Sequence, residues 1–365
     1  MAAIETMVER MRRLQAEMIA SGIDWLVCGP GADLQYLTGH RGHLSERLSV
    51  LLIPARGEPH YVVPGLEAAL IQDLREVVTI HQWEETADPA ALVGQVIGGK
   101  APAVAVNADL WSVFTIRMQA AMPGSTWFDA TPALRPLRMR KDQSEVALLR
   151  DAAHRTDEAW EEFITTPIAG LTEKQALTRL LELTHKRGLG PSFGVVASGP
   201  NSASPHHSSG SRVIQVGDAI VCDWGGTLEG YNSDVTRSAI VGEPSDAYRK
   251  AYAVILDANQ QVLEATKPGV TCETLDKIAR KVITENGYAD HILHRVGHGL
   301  GLSLHEEPYL VLGNTLPLAE GMVFSDEPGL YISGQFGIRI EDAVVVTEVA
   351  GERLNEATRA LTVLH

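Results

Sequence analysis

Apolar residues at Ile4, Met7, Val8, Met11, Leu14 and Met18 recur at helical intervals and stop before Ser21-Gly22, which predicts an amphipathic first helix. The period then changes. Short apolar runs at 25–28, 48–53, 61–63, 77–80 and 104–106 read as strands, with helical stretches near 66–74 and 110–121. This alternation predicts an α/β domain around a partly parallel sheet. The segment Arg135-Pro136-Leu137-Arg138-Met139-Arg140-Lys141 is short, basic and broken by proline. It reads as a linker and divides the chain into domains 1–135 and 136–365.

The second part opens with a helical pattern over 142–165. A shorter helix follows, with Thr172 as N-cap, Gln175 completing a capping box, and a stop at Arg187-Gly188. The same punctuation returns after a helical stretch at 245–266, as Gly269-Val270-Thr271 and Asn286-Gly287. Gly170 to Gly269 and Gly188 to Gly287 are each 99 positions apart. Interior residues match poorly, so the repeat is one of architecture.

Each half then runs into a strand pair that carries acids. In the first, the apolar run Ala219-Ile220-Val221-Cys222 meets Asp223, a glycine-rich stretch follows, and Asp234 interrupts the return run. In the second, Glu327 sits in Ser325-Asp326-Glu327-Pro328-Gly329 and Glu341 in Arg339-Ile340-Glu341-Asp342. The two-residue strand period puts Arg339 and Glu341 on one face, with Ile338 and Ile340 on the other. Two facing hairpins would converge four carboxylates. Buried carboxylates are tolerated when paired or bound to metal, and the only cation close to the first pair in sequence is Arg237. His298, in Gly297-His298-Gly299-Leu300-Gly301, adds an imidazole where glycines let main chain approach. Four carboxylates and one imidazole suit manganese, cobalt, iron or zinc. Two divalent ions balance four carboxylates, whereas one would leave an excess of negative charge in a low-dielectric site. Ligation requires His298 to be neutral, so acid should release metal.

Composition narrows the class. The 365 residues carry 31 basic against 46 acidic side chains, a formal charge of −15, which argues against nucleic acid or an anionic membrane as partner. A hydrophobic fraction of 45% is that of a folded protein. No apolar run is long enough for a membrane span, and residues 1–13 lack the apolar core of a signal peptide. Cys28, Cys222 and Cys272 are odd in number and far apart, as fits a reducing cytoplasm.

The motifs Asp223-x10-Asp234, Gly297-His298-Gly299-x-Gly301, Glu327-Pro328-Gly329 and Arg339-Ile340-Glu341-Asp342 together resemble the creatinase/methionine-aminopeptidase superfamily. In layout the chain is most similar to Xaa-Pro dipeptidases (prolidases) and aminopeptidase P. Gln35-Tyr36-Leu37-Thr38-Gly39 extends the likeness, more weakly, into the N-terminal half. The resemblance implies an α/β creatinase-like N-terminal domain and an α+β pita-bread catalytic domain with an internal pseudo-two-fold repeat. It further implies that Asp223 holds one of two divalent metal ions, manganese first, that Asp234 and Glu341 bridge both, and that His298 and Glu327 hold the other. His206 matches the substrate-binding histidine, His305 the second catalytic histidine, and Glu327 the proton shuttle, while Tyr331 and Arg339 match positions around the substrate. Because His207 follows His206 directly, the register there is open.

The expected activity is hydrolysis of the Xaa-Pro bond in a proline-containing dipeptide, by a cytoplasmic homodimer. Aminopeptidase P action on longer peptides is the alternative. Creatinase-like hydrolases or lyases, and non-catalytic binding relatives, are expected to have altered ligands, and here all five are in place. The glycines around His298 lack the spacing and βαβ context of a dinucleotide site, and no Gly-x-Ser-x-Gly elbow is present.

Overall fold

The first helix spans Ala2–Ser21 in the computed structural model, which describes residues 2–365, and buries Met11, Leu14 and Met18. The chain divides into two compact units, Met1–Arg138 and Met139–His365. None of the described helices is long and apolar enough to cross a membrane.

The first unit is built on a six-stranded sheet in the order Thr79–Trp83, His60–Pro64, Val50–Pro54, Trp25–Cys28, Ala103–Val106, Thr126–Asp129. Val50–Pro54 pairs antiparallel with both its neighbours and the other three pairings are parallel, the mixture anticipated from the alternating pattern. Val27, Val50, Leu52, Val62 and Val104 form a buried layer with Val93 and Ile97 of helix Pro89–Ile97 and Phe114 and Met118 of helix Ser112–Ala121.

Several short elements escaped the hydrophobic pattern, among them helices Ala32–Thr38 and Pro89–Ile97 and the strand Thr126–Asp129. Helix Pro89–Ile97 does carry a local start signal, because Asp88 caps the amides of Ala90 and Ala91 ahead of a proline in the first turn. The division between the two units falls inside the segment 135–141 read as the linker, but most of that segment is helical. Helix Thr131–Met139 runs through Pro136, and Ala133, Leu134 and Leu137 are buried. Proline's missing amide and the bias against helix at Arg135 cost less than exposing that apolar face.

In the second unit the helices fall where the sequence pattern predicts. Helix Gln143–Phe163 starts on a capping box between Asp142 and Glu145, and helix Glu173–Lys186 on one between Thr172 and Gln175. Helices Asp246–Ala265 and Cys272–Glu285 repeat the pair. The repeat extends to main-chain bonds. Gly170 N–H donates to Ile214 and Gly269 N–H to Leu318, while Ile214 N–H donates to Leu171 and Leu318 N–H to Val270. Gly170, Gly188, Gly269 and Gly287 all adopt φ between 78° and 88°, the left-handed region that a residue with a Cβ enters only at a cost.

Each helix pair packs on its own core. The first core joins Trp160, Phe163, Ala176 and Leu180 to Trp224 and Val235. The second joins Tyr248, Ile255, Leu275 and Ile283 to Phe324, Ile338 and Ile340. Two sheets lie inside these helices. One has the order Thr362–Leu364, Val235–Val241, Ala219–Leu228, Ser192–Ser198, and the other the order Glu306–Leu310, Gly297–Gly299, Val323–Asp326, Asp342–Val346, Gly351–Arg353. A bridge between Thr236 and Glu341 joins the two halves.

Arg237, the cation suggested by sequence for the first acid pair, serves another purpose. Its guanidinium is 1% exposed, pairs with Asp342 at 2.7 Å and donates to the carbonyls of Thr236, Glu341, Ala357 and Thr358. Replacing Arg237 with Ala would take from Asp342 its nearest cation, with Arg353 and Arg359 left at 3.6 and 3.9 Å, and from the carbonyls of Glu341, Ala357 and Thr358 this donor, and should lower the unfolding free energy by about 3 kcal/mol in chemical denaturation.

Candidate metal centre

Strand Ala219–Leu228 turns at Glu229 and Gly230, both with positive φ (50° and 85°), as a two-residue hairpin requires. Thr227 and Leu228 pair with Asn232 and Tyr231 across the turn. The chain then kinks at Ser233, whose carbonyl passes so close to Gly225 that a Cβ there would lie 1.9 Å from it. Asp234 follows the kink and is buried, while Asp223 lies opposite Thr236.

The second hairpin is interrupted. Val323–Asp326 pairs with Asp342–Val346, and Gly329–Ile332 with Phe336–Arg339. Glu327 and Glu341 occupy the break between the two ladders. Glu341 is fastened to the first hairpin, since its amide donates to the Thr236 carbonyl at 3.1 Å and its carboxylate accepts from the Thr236 hydroxyl at 2.6 Å. Ile338 and Ile340 enter the core, and Arg339 and Glu341 line a cavity, as the strand period predicts.

His298 is held by main chain on both sides. A Cβ on Gly297 would sit 1.8 Å from the Ser325 carbonyl, and one on Gly299 2.3 Å from that of Glu307. The His298 Nδ1–H donates to the Gly299 carbonyl at 3.1 Å, which leaves Nε2 as the free lone pair. That nitrogen lies 3.6 Å from Asp234 and 3.4 Å from Glu327.

All five residues read as ligands therefore border one cavity of about 610 Å³, with His206, His305 and Arg339. Donor atoms fall into overlapping sets within 4.8 Å of one another: Asp223, Asp234 and Glu341; His298, Glu327 and Glu341; Asp234, His298 and His305. Buried Asp223 Oδ1 has no hydrogen-bond partner among the described residues. Oxygen donors with one imidazole nitrogen, arranged around shared carboxylates, fit two divalent ions of the manganese-to-zinc series.

The electrostatics are those of carboxylates crowded together away from water. Burial and then Glu341 push the Asp234 carboxyl well up, and burial and then Glu327 do the same to Glu341. Burial raises Glu327 to about 7. Burial also lowers His298 to about 3, with His305 adding to the effect. His298 is thus neutral throughout the ordinary pH range, the form that ligation requires. Tyr331 and Arg339 form part of the wall. Arg339 donates to Asp223 at 2.6 Å, to Tyr331 Oη at 2.9 Å and to Thr236 at 3.0 Å. Arg339 thereby orients Asp223.

The structure resolves the register at 206–207. His206 lines the cavity, whereas His207 turns away and pairs with Glu173 at 2.8 Å. Glu173 was not singled out by sequence reasoning. Fully buried at the start of helix Glu173–Lys186, it accepts from His207, from Asn201, from the hydroxyl and amide of Ser198 and from the amide of Gly210. Burial opposes its charge, yet these donors hold the carboxyl below its ordinary value. Glu173 thus ties down the 198–210 loop that presents His206. Two cavity residues were also missed: His294, whose Nε2 lies 2.8 Å from Tyr331 Oη, and Arg295. The only signal for His294 was its place four positions before His298.

Residues 147–348 match Metallopeptidase family M24, and residues 10–140 match the Creatinase/Prolidase N-terminal domain. The chain is 38% identical over 365 residues to a protein named probable dipeptidase PepE of Mycobacterium tuberculosis, covering 99% of this chain and 97% of that one. It is 39% identical to dipeptidase PepE of Mycobacterium ulcerans, whose crystal structure superposes with a TM-score of 0.92 over 99% of this chain and 98% of the other. The crystal structure of recombinant prolidase from Thermococcus sibiricus, 32% identical, superposes with a TM-score of 0.93 over 97% of this chain and 98% of the other. The second unit has the pita-bread architecture expected of it.

Two outcomes follow from this geometry. Glu173→Ala leaves the His207, Ser198 and Asn201 donors without their acceptor and should cost about 1–3 kcal/mol in denaturant titration. In metal-free protein, Asp234, Glu327 and Glu341 have folded-state pKa values above those of the unfolded chain, so their contribution favours the fold in acid. It is lost as pH rises through Glu327's value of about 7. Added divalent metal should therefore raise Tm more at pH 8 than at pH 6, as calorimetry can measure.

Proposed function

The chain belongs to metallopeptidase family M24, and from that premise we propose that it is an Xaa-Pro dipeptidase working with two divalent ions, manganese by preference. The observation that carries the reading is the convergence of Asp223, Asp234, His298, Glu327 and Glu341 on one cavity that His206 and His305 also line. In this reading Asp223 would hold one ion, His298 and Glu327 would hold the other, and Asp234 and Glu341 would serve both. The similarity to proteins named dipeptidase and prolidase supports the substrate class.

When bound, such a pair of ions makes water acidic near neutral pH and polarises the scissile carbonyl. The remaining work falls to side chains. Glu327 takes a proton from the attacking water and returns it to the departing proline nitrogen. His305, which burial keeps neutral, and His206 donate N–H groups to the carbonyl oxygen as negative charge gathers there. Arg339 and Tyr331 keep Asp223 in place at the wall of the substrate pocket. Phe193, Val195, Leu304 and Val311 supply an apolar lining for the pyrrolidine ring.

We further place the enzyme in the cytoplasm as a homodimer. Three cysteines that are free and buried fit a reducing compartment, and the exposed apolar residues Trp111, Val113 and Ile116 offer a self-association surface.

The test is hydrolysis of Ala-Pro, Ala-Pro-Ala and Ala-Ala before and after chelation, followed by restoration with single divalent ions. Ala-Pro should be cleaved best and restored best by manganese. Full activity in a preparation shown by elemental analysis to be metal-free would refute the reading. Replacing any of the five ligands with Ala should lower both metal content and kcat/KM, the latter by at least roughly 100-fold, since even groups that merely support a ligand are worth 10–100-fold.

A further inference from the structure

Lys141, the last cation of the basic segment 135–141, turns inward. Its side chain is 1% exposed, and its Nζ donates at 2.7 Å to Oε1 of Glu306, whose side chain is 9% exposed. The main chain beneath it is fixed as well. The Lys141 N–H donates to the Gly321 carbonyl at 2.7 Å, and Arg140 bridges to Met322, the residue before strand Val323–Asp326. The attraction within a buried ion pair does little more than offset the lost hydration of its members, so such a pair matters more for the geometry it specifies than for stability.

The residue next to Glu306 is His305. It is exposed, no hydrogen bond engages its ring among the described residues, and the ring lies against that of His298 with centroids 3.9 Å apart. Its position therefore depends on the loop that carries it, 300–306. At one end, Leu300 N–H donates to the Val323 carbonyl at 3.0 Å, and Asn232 of the first hairpin donates its amide and its Nδ2–H to the Gly301 carbonyl at 2.9 and 2.8 Å. At the other end the fastening is Glu306 itself. Its Oε2 accepts from the Ser303 N–H at 3.2 Å, closing a turn across Leu304 and His305, while its Oε1 is tied to Lys141. The third glycine of Gly297-His298-Gly299-Leu300-Gly301 has its reason here. A Cβ on Gly301 would lie 2.7 Å from Glu306 Oε1 and 3.0 Å from Lys141 Cε, so the ion pair fills the space that a side chain would take. Building on the reading of His305 as a donor to the scissile carbonyl, we propose that Lys141 and Glu306 are positioning residues, whose buried pair fixes the 303–306 turn and with it the place of the His305 ring beside Asp234 and His298.

The experiment measures kcat, KM and metal content for manganese-loaded wild type, E306Q and K141M/E306Q, each with His305 present and in an H305A background. K141M alone would leave a buried carboxylate unpaired and can unfold the chain. The double variant removes that charge and keeps an acceptor for the Ser303 N–H. The substrate is whichever of Ala-Pro and Ala-Ala is cleaved faster, so failure of the proline reading leaves the comparison intact. Because a misplacement of about 1 Å can be worth roughly 100-fold, K141M/E306Q should lower kcat by about 10- to 100-fold, with KM and metal content close to those of wild type. E306Q alone still accepts from Lys141 and should retain part of the rate. In the H305A background the double substitution should lower kcat no further, since its effect runs through His305. The same fold-loss with and without His305 would overturn the proposal. If H305A leaves kcat unchanged, the role given to His305 fails, and crystal structures of manganese-loaded wild type and K141M/E306Q still decide the positioning. A His305 ring that moves by about 1 Å or more or becomes disordered, with the five ligands in place, supports it, and a ring that superposes on that of wild type refutes it.

Discussion

Carboxylates withdrawn from water repel one another, and the second unit is arranged around a place where four of them meet. Asp223 and Asp234 come from one hairpin, Glu327 and Glu341 from the other, and burial makes the charges of Asp234, Glu327 and Glu341 more expensive than they would be on the surface. Arg339 offsets one of these charges through Asp223, while Arg237 lies in a separate layer with Asp342. What remains must be met by protons or by cations. The raised pKa values of Asp234, Glu327 and Glu341 describe the proton alternative, and the overlapping donor sets describe the cation alternative. Stability and chemistry therefore rest on the same electrostatic deficit.

Much of this was legible in the chain because it was written in local rules. The cap at Thr172 places one helix start to the residue, and Gly188 and Gly287, both with positive φ, mark where two helices end. The repeat was visible in that punctuation even though the packed interiors have diverged, because caps answer to the main chain and interiors answer to different neighbours. Strand alternation sorted Arg339 and Glu341 from Ile338 and Ile340.

What sequence could not supply was the result of tertiary packing. Helix Thr131–Met139 exists despite Pro136 because three apolar side chains are buried along it. Glu173 reads as an ordinary acidic residue in a helix's first turn, and only the folded loop gathers five donors around it. His294 and Arg295 had no spacing rule to identify them. The sequence favoured His206 but left the register open to His207, and a single buried carboxylate distinguishes them.

The glycines flanking His298 separate two tasks that many binding sites combine. With no Cβ at 297 or 299, the main chains of Ser325 and Glu307 close directly on the strand that bears the imidazole. The ring's aim is set by peptide-to-peptide contact and by the Gly299 carbonyl, independently of the side chains that shape the cavity. Phe193, Val195, Leu304 and Val311 are free to vary in size, and preference for one substrate over another can drift, while the nitrogen donor keeps its bearing.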